Sequence, residues 1–313
     1  MSQSQKHPSL GVLLALTSSL LFGLNASTTK VLIGSGISAA NLVLFRCFAV
    51  VFFSGIAILL TKPQNFRFSV KELPFFAVFG VVGVGLMQWA YSNAVANLQV
   101  GVALLIEYTA ILIVPIASYF LFREKILPRI WIAVALVICG LAVVAKPWQA
   151  ALNPIGVLFG VLAAIFLSSY FIMGEHVQRR RDAYSTMFYS FLAASIFWAI
   201  SYFFFPSGGI NFDNPVNLSG NLSAITLPTW ALLLWVSVFG SFAPMLFTFL
   251  AMRHLSASGV GIASTAETIF AFVFGFLWLS EKIDVSQISG GALVVVGIVV
   301  AQTARSKTWQ PSN

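Results

Sequence analysis

Three charged side chains stand deep inside long apolar segments of this chain: Glu107, Glu267 and Arg46. Glu107 lies about eight residues into its segment, which places it about 12 Å from the nearer end at 1.5 Å per helical residue. An isolated carboxylate at that depth in a membrane must be paired, hydrated in a cavity or protonated. The three residues therefore predict a site for proton coupling or for recognition of a substrate amine. A buried structural ion pair is the alternative.

Two cations inside the apolar segments lead to different expectations. Arg46 has a predicted depth similar to that of Glu107, so we hypothesise that these two side chains form an ion pair that is made or broken during function. Lys30 is only three or four residues from the end of its segment. A long lysine side chain can extend from there to the membrane surface. We therefore expect Lys30 to anchor the helix at the interface rather than to act in a site.

Polar and aromatic residues at helical spacing mark a face that could line a solute cavity. The third apolar segment is the richest in them, and Asn25 and Tyr170 occupy matched positions in two other segments, where they could face each other. Interhelical hydrogen bonds and an interfacial aromatic belt are the alternative interpretations. The candidate lining residues are Gln88, Trp89, Tyr91, Asn93, Tyr108, Asn25 and Tyr170.

The sequence offers no pattern for a metal, a cofactor or a catalytic centre. Cys47 and Cys139 lack a Cys-x-x-Cys spacing, and the three histidines are far apart. The glycine-rich run 80–85 follows no strand, so it indicates close helix packing rather than a dinucleotide loop. We expect no metal, no cofactor and no enzymatic activity. The 17 Lys and Arg residues are scattered between apolar runs, which also argues against a nucleic-acid surface.

Composition indicates that lipid surrounds most of the protein. Of 313 residues, 59% are hydrophobic and 8% are charged, whereas a soluble domain is about 25% charged. A membrane crossing needs about 20 apolar residues, and the chain divides into ten such segments at breaks rich in Pro, Gly and charge. The predicted spans are 9–33, 38–61, 73–97, 99–122, 127–146, 154–177, 184–205, 228–252, 257–279 and 286–304.

The distribution of cations predicts the orientation of these spans. With the amino terminus inside, 13 of the 17 Lys and Arg residues fall on the cytoplasmic side and only Lys146 and Lys282 fall outside. Cytoplasmic loops retain Lys and Arg, so both termini are expected in the cytoplasm, in a bacterial inner membrane. A cleaved signal peptide in the first segment would invert the remaining spans and break this rule.

A weak internal repeat divides the chain into residues 1–147 and 148–313. The fourth and ninth spans both begin near a Gly-Val pair, Gly101-Val102 and Gly259-Val260, and both close on a Glu-Lys-Ile triplet, at 124–126 and 281–283. Because each half has five spans, the second half enters the membrane from the opposite side. Inverted repeats of this kind are typical of secondary transporters, which alternate between two orientations of one cavity.

This arrangement resembles the drug/metabolite transporter superfamily, in particular its EamA-type ten-helix members, over residues 9–304. Each half carries an intramembrane Glu and a closing Glu, in Leu105–Ala110 through Phe122–Glu124 and in Glu267–Ile269 through Leu279–Glu281. Arg46 also fits. The sequence departs from the family pattern in two respects. Arg and Ser precede the closing acids where Gly is usual, and Tyr and Thr follow the intramembrane acids where Pro is common.

The resemblance implies a function for the ten-helix bundle. Spans 1–4 and 6–9 would line a central cavity, and spans 5 and 10 would be peripheral, with a possible role in a homodimer. The implied activity is export of a small metabolite, such as an amino acid, in exchange for protons. An uptake carrier, a channel and a non-transporting signalling or interaction protein remain alternatives at this stage.

Overall fold

A computed structural model describes residues 7–61, 63–113, 128–145, 152–178, 181–251, 254–255, 260 and 263–308. Ten apolar helices follow one another through these ranges, six of them long enough to cross a membrane and four shorter. The helices are α1 Pro8–Gly34, α2 Ala39–Thr61, α3 Val70–Asn97, α4 Val100–Glu107, α5 Pro128–Ala145, α6 Pro154–Gln178, α7 Ala183–Phe204, α8 Thr229–Ala251, α9 Ala266–Leu277 and α10 Val285–Thr308. The predicted all-α membrane fold is confirmed. The predicted boundary at 147/148 and the closing Glu124 lie outside the described residues.

Two of the long helices contain π-helical segments, Phe79–Leu86 in α3 and Val238–Phe242 in α8. The glycines in these segments permit very close contacts. A Cβ atom on Gly80 would lie 2.3 Å from the Ser190 carbonyl oxygen of α7. The glycine-rich run is thus a packing surface, as the sequence indicates, although the π-helical geometry is not evident from it. Local π-helices are often found at functional sites.

Helix breaks flank both intramembrane acids. Glu107 is the last residue of α4, and the chain turns at 108–109 before a short helical stretch at 110–113. Glu267 is the second residue of α9, directly after a turn at Thr265. Interrupted helices at membrane depth leave backbone groups available to a cavity, as in many transporters. The breaks therefore mark the same two positions as the charges.

The principal contacts between helices keep their pattern when each helix is exchanged for the one five places further along. The α1–α8 contact matches α6–α3, and α1–α9 matches α6–α4, while α2–α7, α4–α9 and α5–α10 each map onto themselves. The α5–α10 contact is a crossing at Gly140 and Gly290. A Cβ atom on either glycine would lie 2.6 Å from the carbonyl oxygen of the other.

The two ends of the bundle differ in structure. At one end, called here the hairpin end, the loop between α7 and α8 forms an antiparallel hairpin of β1 Pro215–Asn217 and β2 Thr226–Pro228. Val216 and Leu218 of this loop pack in an apolar cluster with residues of α1, α2 and α8. At the opposite end, called here the arginine end, Arg181 contacts Glu72 in the first turn of α3.

Candidate functional site

The two intramembrane acids have different surroundings. The Tyr108 hydroxyl donates a hydrogen bond of 2.6 Å to the Glu267 carboxylate and lies 3.5 Å from the Ser264 carbonyl oxygen. Glu107 is 6% exposed, and no side chain or amide in the described part of the chain donates a hydrogen bond to its carboxylate. Glu267 is therefore held by the protein, whereas Glu107 is open to another partner.

Arg46 reaches α8 rather than Glu107. Its Nε donates to the Ser241 hydroxyl at 2.8 Å, and Nη2 donates to the Gly240 carbonyl oxygen at 3.3 Å. The side chain is 3% exposed, and its Nη1 has no hydrogen-bond partner in the described structure. The hypothesised direct ion pair with Glu107 is thus not formed here, because the guanidinium is turned toward the π-helical segment of α8. Arg46, Tyr91 and Glu107 remain within range of electrostatic interaction.

The helices around these charges contribute further buried polar atoms without partners. Within the membrane such an atom is costly unless water or a solute satisfies it. The atoms come from α1, α2, α3, α7, α8 and α9, so both halves of the chain contribute. In the described residues they are Asn25 Oδ1, Ser27 Oγ, Thr29 Oγ1, Arg46 Nη1, Gln88 Oε1, Ser92 Oγ, Trp198 Nε1, Ser237 Oγ and Thr268 Oγ1. We refer to this set, with Glu107, Tyr108 and Glu267, as the polar centre.

The predicted lining residues of α3 divide into two groups. Gln88 and Tyr91 are buried, and Gln88 belongs to the polar centre. Asn93 donates instead to the Trp89 carbonyl oxygen of its own helix at 2.8 Å. The Trp89 ring packs edge-on against Phe159, with ring centroids 5.2 Å apart. Helical spacing placed these residues on one face, but Asn93 and Trp89 serve helix bonding and packing.

Asn25 and Tyr170 have different close neighbours, and the expectation that they face one another stays a prediction. Each packs against a glycine of a π-helical segment. A Cβ atom on Gly240 would lie 2.2 Å from Asn25 Oδ1, and one on Gly83 would lie 3.3 Å from the Tyr170 Cα atom. Tyr170 also stacks on Phe79 at a centroid distance of 5.6 Å. Only Asn25 belongs to the polar centre.

Sequence reasoning missed the small hydroxyl residues of the polar centre. Ser27, Thr29 and Ser92 are entirely buried. Their signal is present in the sequence, since α1 carries the run Asn25–Thr29 with three hydroxyl residues inside an apolar helix. Serine and threonine also bond to their own helix backbone, as Thr28 does to the Leu24 carbonyl oxygen. For this reason the run does not identify a site by itself.

Lys30 forms an ion pair, and the prediction that it extends to the interface is wrong. Its Nζ lies 2.6 Å from Glu281 Oε1 and also donates to the Leu98 carbonyl oxygen at 2.7 Å. Beside this pair the hairpin end contains a cavity of about 500 Å³. The cavity is lined mainly by polar groups, among them Lys30, Asn97, Gln99, Asn153, Asp284 and Gln287.

The arginine end is joined by a second ion pair. Arg181 donates to both carboxylate oxygens of Glu72, at 2.9 and 2.6 Å, and to the Arg67 carbonyl oxygen at 2.8 Å. Its guanidinium carbon lies 5.0 Å from the Tyr189 ring centroid. The hydrogen bonds to Glu72 raise the pKa of Arg181 above its usual value, so this residue stays cationic at any physiological pH.

Comparison with known proteins gives consistent results. Residues 9–146 and 154–303 each match the model of the EamA-like transporter family. The chain is 26% identical to the pseudopaline exporter of Pseudomonas aeruginosa strain UCBPP-PA14, over 92% of this chain and 94% of that protein. It is 23% identical to an uncharacterized transporter of Clostridium kluyveri, over 84% of this chain and 85% of that protein. A solved crystal structure covers 96% of this chain with a TM-score of 0.64 and 18% identity, which shows similarity of fold.

Proposed function

Because the chain belongs to the EamA-like transporter family, we propose that it is a secondary transporter that exports a small metabolite, such as an amino acid, in exchange for protons. The chain is an integral multi-pass membrane protein of a transporter family. The proposal concerns the substrate class, the direction of transport and the coupling of transport to protons. The Pseudomonas aeruginosa relative is named an exporter, which supports the outward direction.

The observation that carries the proposal is the pair of unsatisfied opposite charges in the polar centre. Arg46 has a free Nη1, and Glu107 accepts no hydrogen bond from the described residues. A zwitterionic solute has a carboxylate for the guanidinium and an ammonium for the carboxylate. Charge-assisted hydrogen bonds of this kind are about twice as strong as neutral ones. The buried hydroxyl and amide groups around them would supply the remaining contacts.

Proton exchange follows from competition for Glu107. A carboxylate buried in the membrane needs a cationic partner or a proton. If the solute ammonium pairs with Glu107 while the solute is carried outward, a proton binds Glu107 when the carrier returns to the inward-facing state. Glu267 is less suited to this role because the Tyr108 hydroxyl already donates to it at 2.6 Å. We therefore assign proton coupling to Glu107 and a positioning role to Glu267.

The architecture we propose is a pair of inverted repeats, residues 1–147 and 148–313. The two separate family matches and the exchange of helix contacts between halves both support it. We propose that the hairpin end lies outside and that both termini lie in the cytoplasm of a bacterial inner membrane, in agreement with the orientation that the cation distribution predicts. A homodimer would use lipid-facing helices and would leave the polar centre within each chain.

The test is export of metabolites from cells that produce the protein. Extracellular amino acids and related compounds are quantified by mass spectrometry for the parent, Glu107→Gln and the control Asp213→Asn, which neutralises an exposed carboxylate of the α7–α8 loop. The parent and the control are expected to raise one or more compounds outside the cell, and Glu107→Gln is expected to abolish the increase. Full export by Glu107→Gln would refute the coupling role. If no solute is exported or exchanged by the folded parent, the transporter assignment fails.

A further inference from the structure

The ion pair at the hairpin end joins three membrane helices. Lys30 belongs to α1, and Glu281 follows α9. The Glu281 carboxylate also accepts from the Val100 backbone N–H at the start of α4, at 3.1 Å to Oε2 and 3.3 Å to Oε1. An acidic group at a helix amino terminus is stabilised by the unpaired N–H groups there. One carboxylate therefore connects α1, α4 and the end of α9.

This ion pair adjoins both the polar centre and the cavity at the hairpin end, because Lys30 directly follows Thr29 on α1 and also lines the cavity. On one side Ser27 and Thr29 of α1 are entirely buried. On the other, Lys30 and Leu98 line the cavity of about 500 Å³. The Lys30 side chain is 28% exposed and that of Glu281 is 10% exposed. Water can thus reach the ion pair from the cavity. When the two side chains separate, neither charge is left without solvent.

The hairpin loop holds Glu281 in position. Asn221 donates through its backbone N–H to the Trp278 carbonyl oxygen at 2.8 Å and through Nδ2 to the Leu277 carbonyl oxygen at 3.0 Å. Its Oδ1 accepts from the Ser280 hydroxyl at 2.9 Å. Ser280 has φ of +58°, a left-handed conformation that is uncommon for a residue other than Gly. The turn that presents Glu281 is fixed by these bonds.

The Glu281 carboxylate also packs closely against α9. A Cβ atom on Gly275 of α9 would lie 2.6 Å from Glu281 Oε2. The Glu281 backbone N–H donates to the Gly275 carbonyl oxygen at 3.0 Å, so the turn folds back on its own helix. The carboxylate is therefore fixed against α9, while Lys30 and Val100 approach it from separate helices.

We propose that the Lys30–Glu281–Val100 contact is a gate that closes the polar centre at the hairpin end. When α9 and its turn move away from α1 and α4, one displacement breaks the Lys30–Glu281 ion pair and the hydrogen bonds from the Val100 N–H to the Glu281 carboxylate. The cavity then becomes continuous with the polar centre. The gate goes beyond the proposed substrate and coupling, because it concerns access to the centre and not what binds there.

The experiment measures access to a cysteine in the polar centre with a membrane-impermeant maleimide. Cys47 and Cys139 are replaced by Ala, and Ser92→Cys provides a reporter whose parent side chain is 0% exposed. Labelling rates are measured from each face of the membrane in right-side-out and inside-out vesicles. A separate Asp213→Cys reporter in the exposed hairpin loop identifies the face that carries the hairpin end.

Lys30→Met and Glu281→Gln each remove one partner of the ion pair. Lys282→Met is the matched control, since this exposed lysine of the same loop forms no ion pair with Glu281 in the described structure. A hydrogen-bonded charge contact of this size corresponds to about a tenfold shift between closed and open states. We expect labelling from the hairpin face to rise about tenfold in both gate variants, to fall from the opposite face, and to be unchanged in Lys282→Met.

Two results would overturn the gate. In one, labelling of Glu281→Gln from the hairpin face equals that of the parent. In the other, labelling rises equally from both faces, which indicates loosening of the bundle instead of a shift between two states. Since the assay needs no solute, a shift in labelling without measurable export would support the gate and count against the proposed function. Export by the parent without a shift in labelling of the gate variants would support the proposed function and count against the gate.

Discussion

The crossing of α5 and α10 allows a quantitative prediction for Gly290→Ala. The added Cβ atom would lie 2.6 Å from the Gly140 carbonyl oxygen and 3.0 Å from the Val144 backbone nitrogen. Both neighbours are backbone atoms of a helix, so the helices themselves must separate. Overpacking of this kind costs about 1–3 kcal/mol, and the rigid neighbours favour the upper part of that range. Replacement of Gly by Ala in a helix offsets about 1 kcal/mol, which leaves a loss of about 2 kcal/mol.

The adjacent glycine supplies the matched control. Among the described residues, a Cβ atom on Gly291 would meet Leu105 Cδ1 at 3.6 Å and Phe272 Cε2 at 3.7 Å, which is ordinary contact. Gly291→Ala is therefore expected to stabilise the protein by up to about 1 kcal/mol. The measurement is equilibrium unfolding of purified protein in mixed detergent micelles. Equal stability of the two variants would refute the close crossing of α5 and α10.

The remaining predictions concern the two carboxylates that the protein holds in place. Tyr108→Phe removes the hydroxyl that binds Glu267, a contact of about 1.5–3 kcal/mol for a charged acceptor, and is expected to shift the pH profile of export. The control Tyr202→Phe, at an exposed position of α7, is expected to leave that profile unchanged. Identical pH profiles for the two variants would contradict the positioning role of Glu267. Ser280→Val places a β-branched residue at φ of +58° and is expected to destabilise the protein by about 1–3 kcal/mol. Ser280→Gly is expected to stay within about 1 kcal/mol of the parent, and thermal unfolding measures both variants. A Ser280→Val variant as stable as the parent would contradict the strained turn.

The membrane helices could be predicted from the sequence because bilayer thickness sets their length. The predicted spans 9–33, 38–61 and 184–205 differ by at most one residue at either end from helices Pro8–Gly34, Ala39–Thr61 and Ala183–Phe204. The hairpin of the α7–α8 loop was not predicted. Its alternation of buried Val216 and Leu218 with exposed neighbours is only a few residues long, too short for the period-two pattern to distinguish it from an irregular loop.

The depth of each charged residue could be predicted, but its partner could not. Counting residues along a helix gives height in the membrane, whereas a contact also depends on rotation and on which helix packs alongside. Arg46 therefore reaches Ser241, 195 positions further along the chain, instead of Glu107 at similar depth. Lys30 likewise pairs with Glu281, 251 positions away. Local reasoning about Lys30 considered only the lipid interface and missed this partner.

The two halves share a fold but differ in their charged residues, and this difference bears on the direction of transport. The offset that matches Asn25 to Tyr170 also matches Lys30 to Glu175, and the counterpart of Glu281 is the closing acid of the first half, Glu124. Both counterparts are therefore acids. Exchange of conformations between the halves therefore cannot form the same ion pair at the arginine end. If the Lys30–Glu281 pair is the proposed gate, it favours the state closed at the hairpin end, and the repeat provides no equivalent Lys–Glu pair for the mirror state. With the hairpin end outside, as proposed, an empty transporter biased in this way would present its polar centre to the cytoplasm, which is the state that the proposed exporter requires to load its solute.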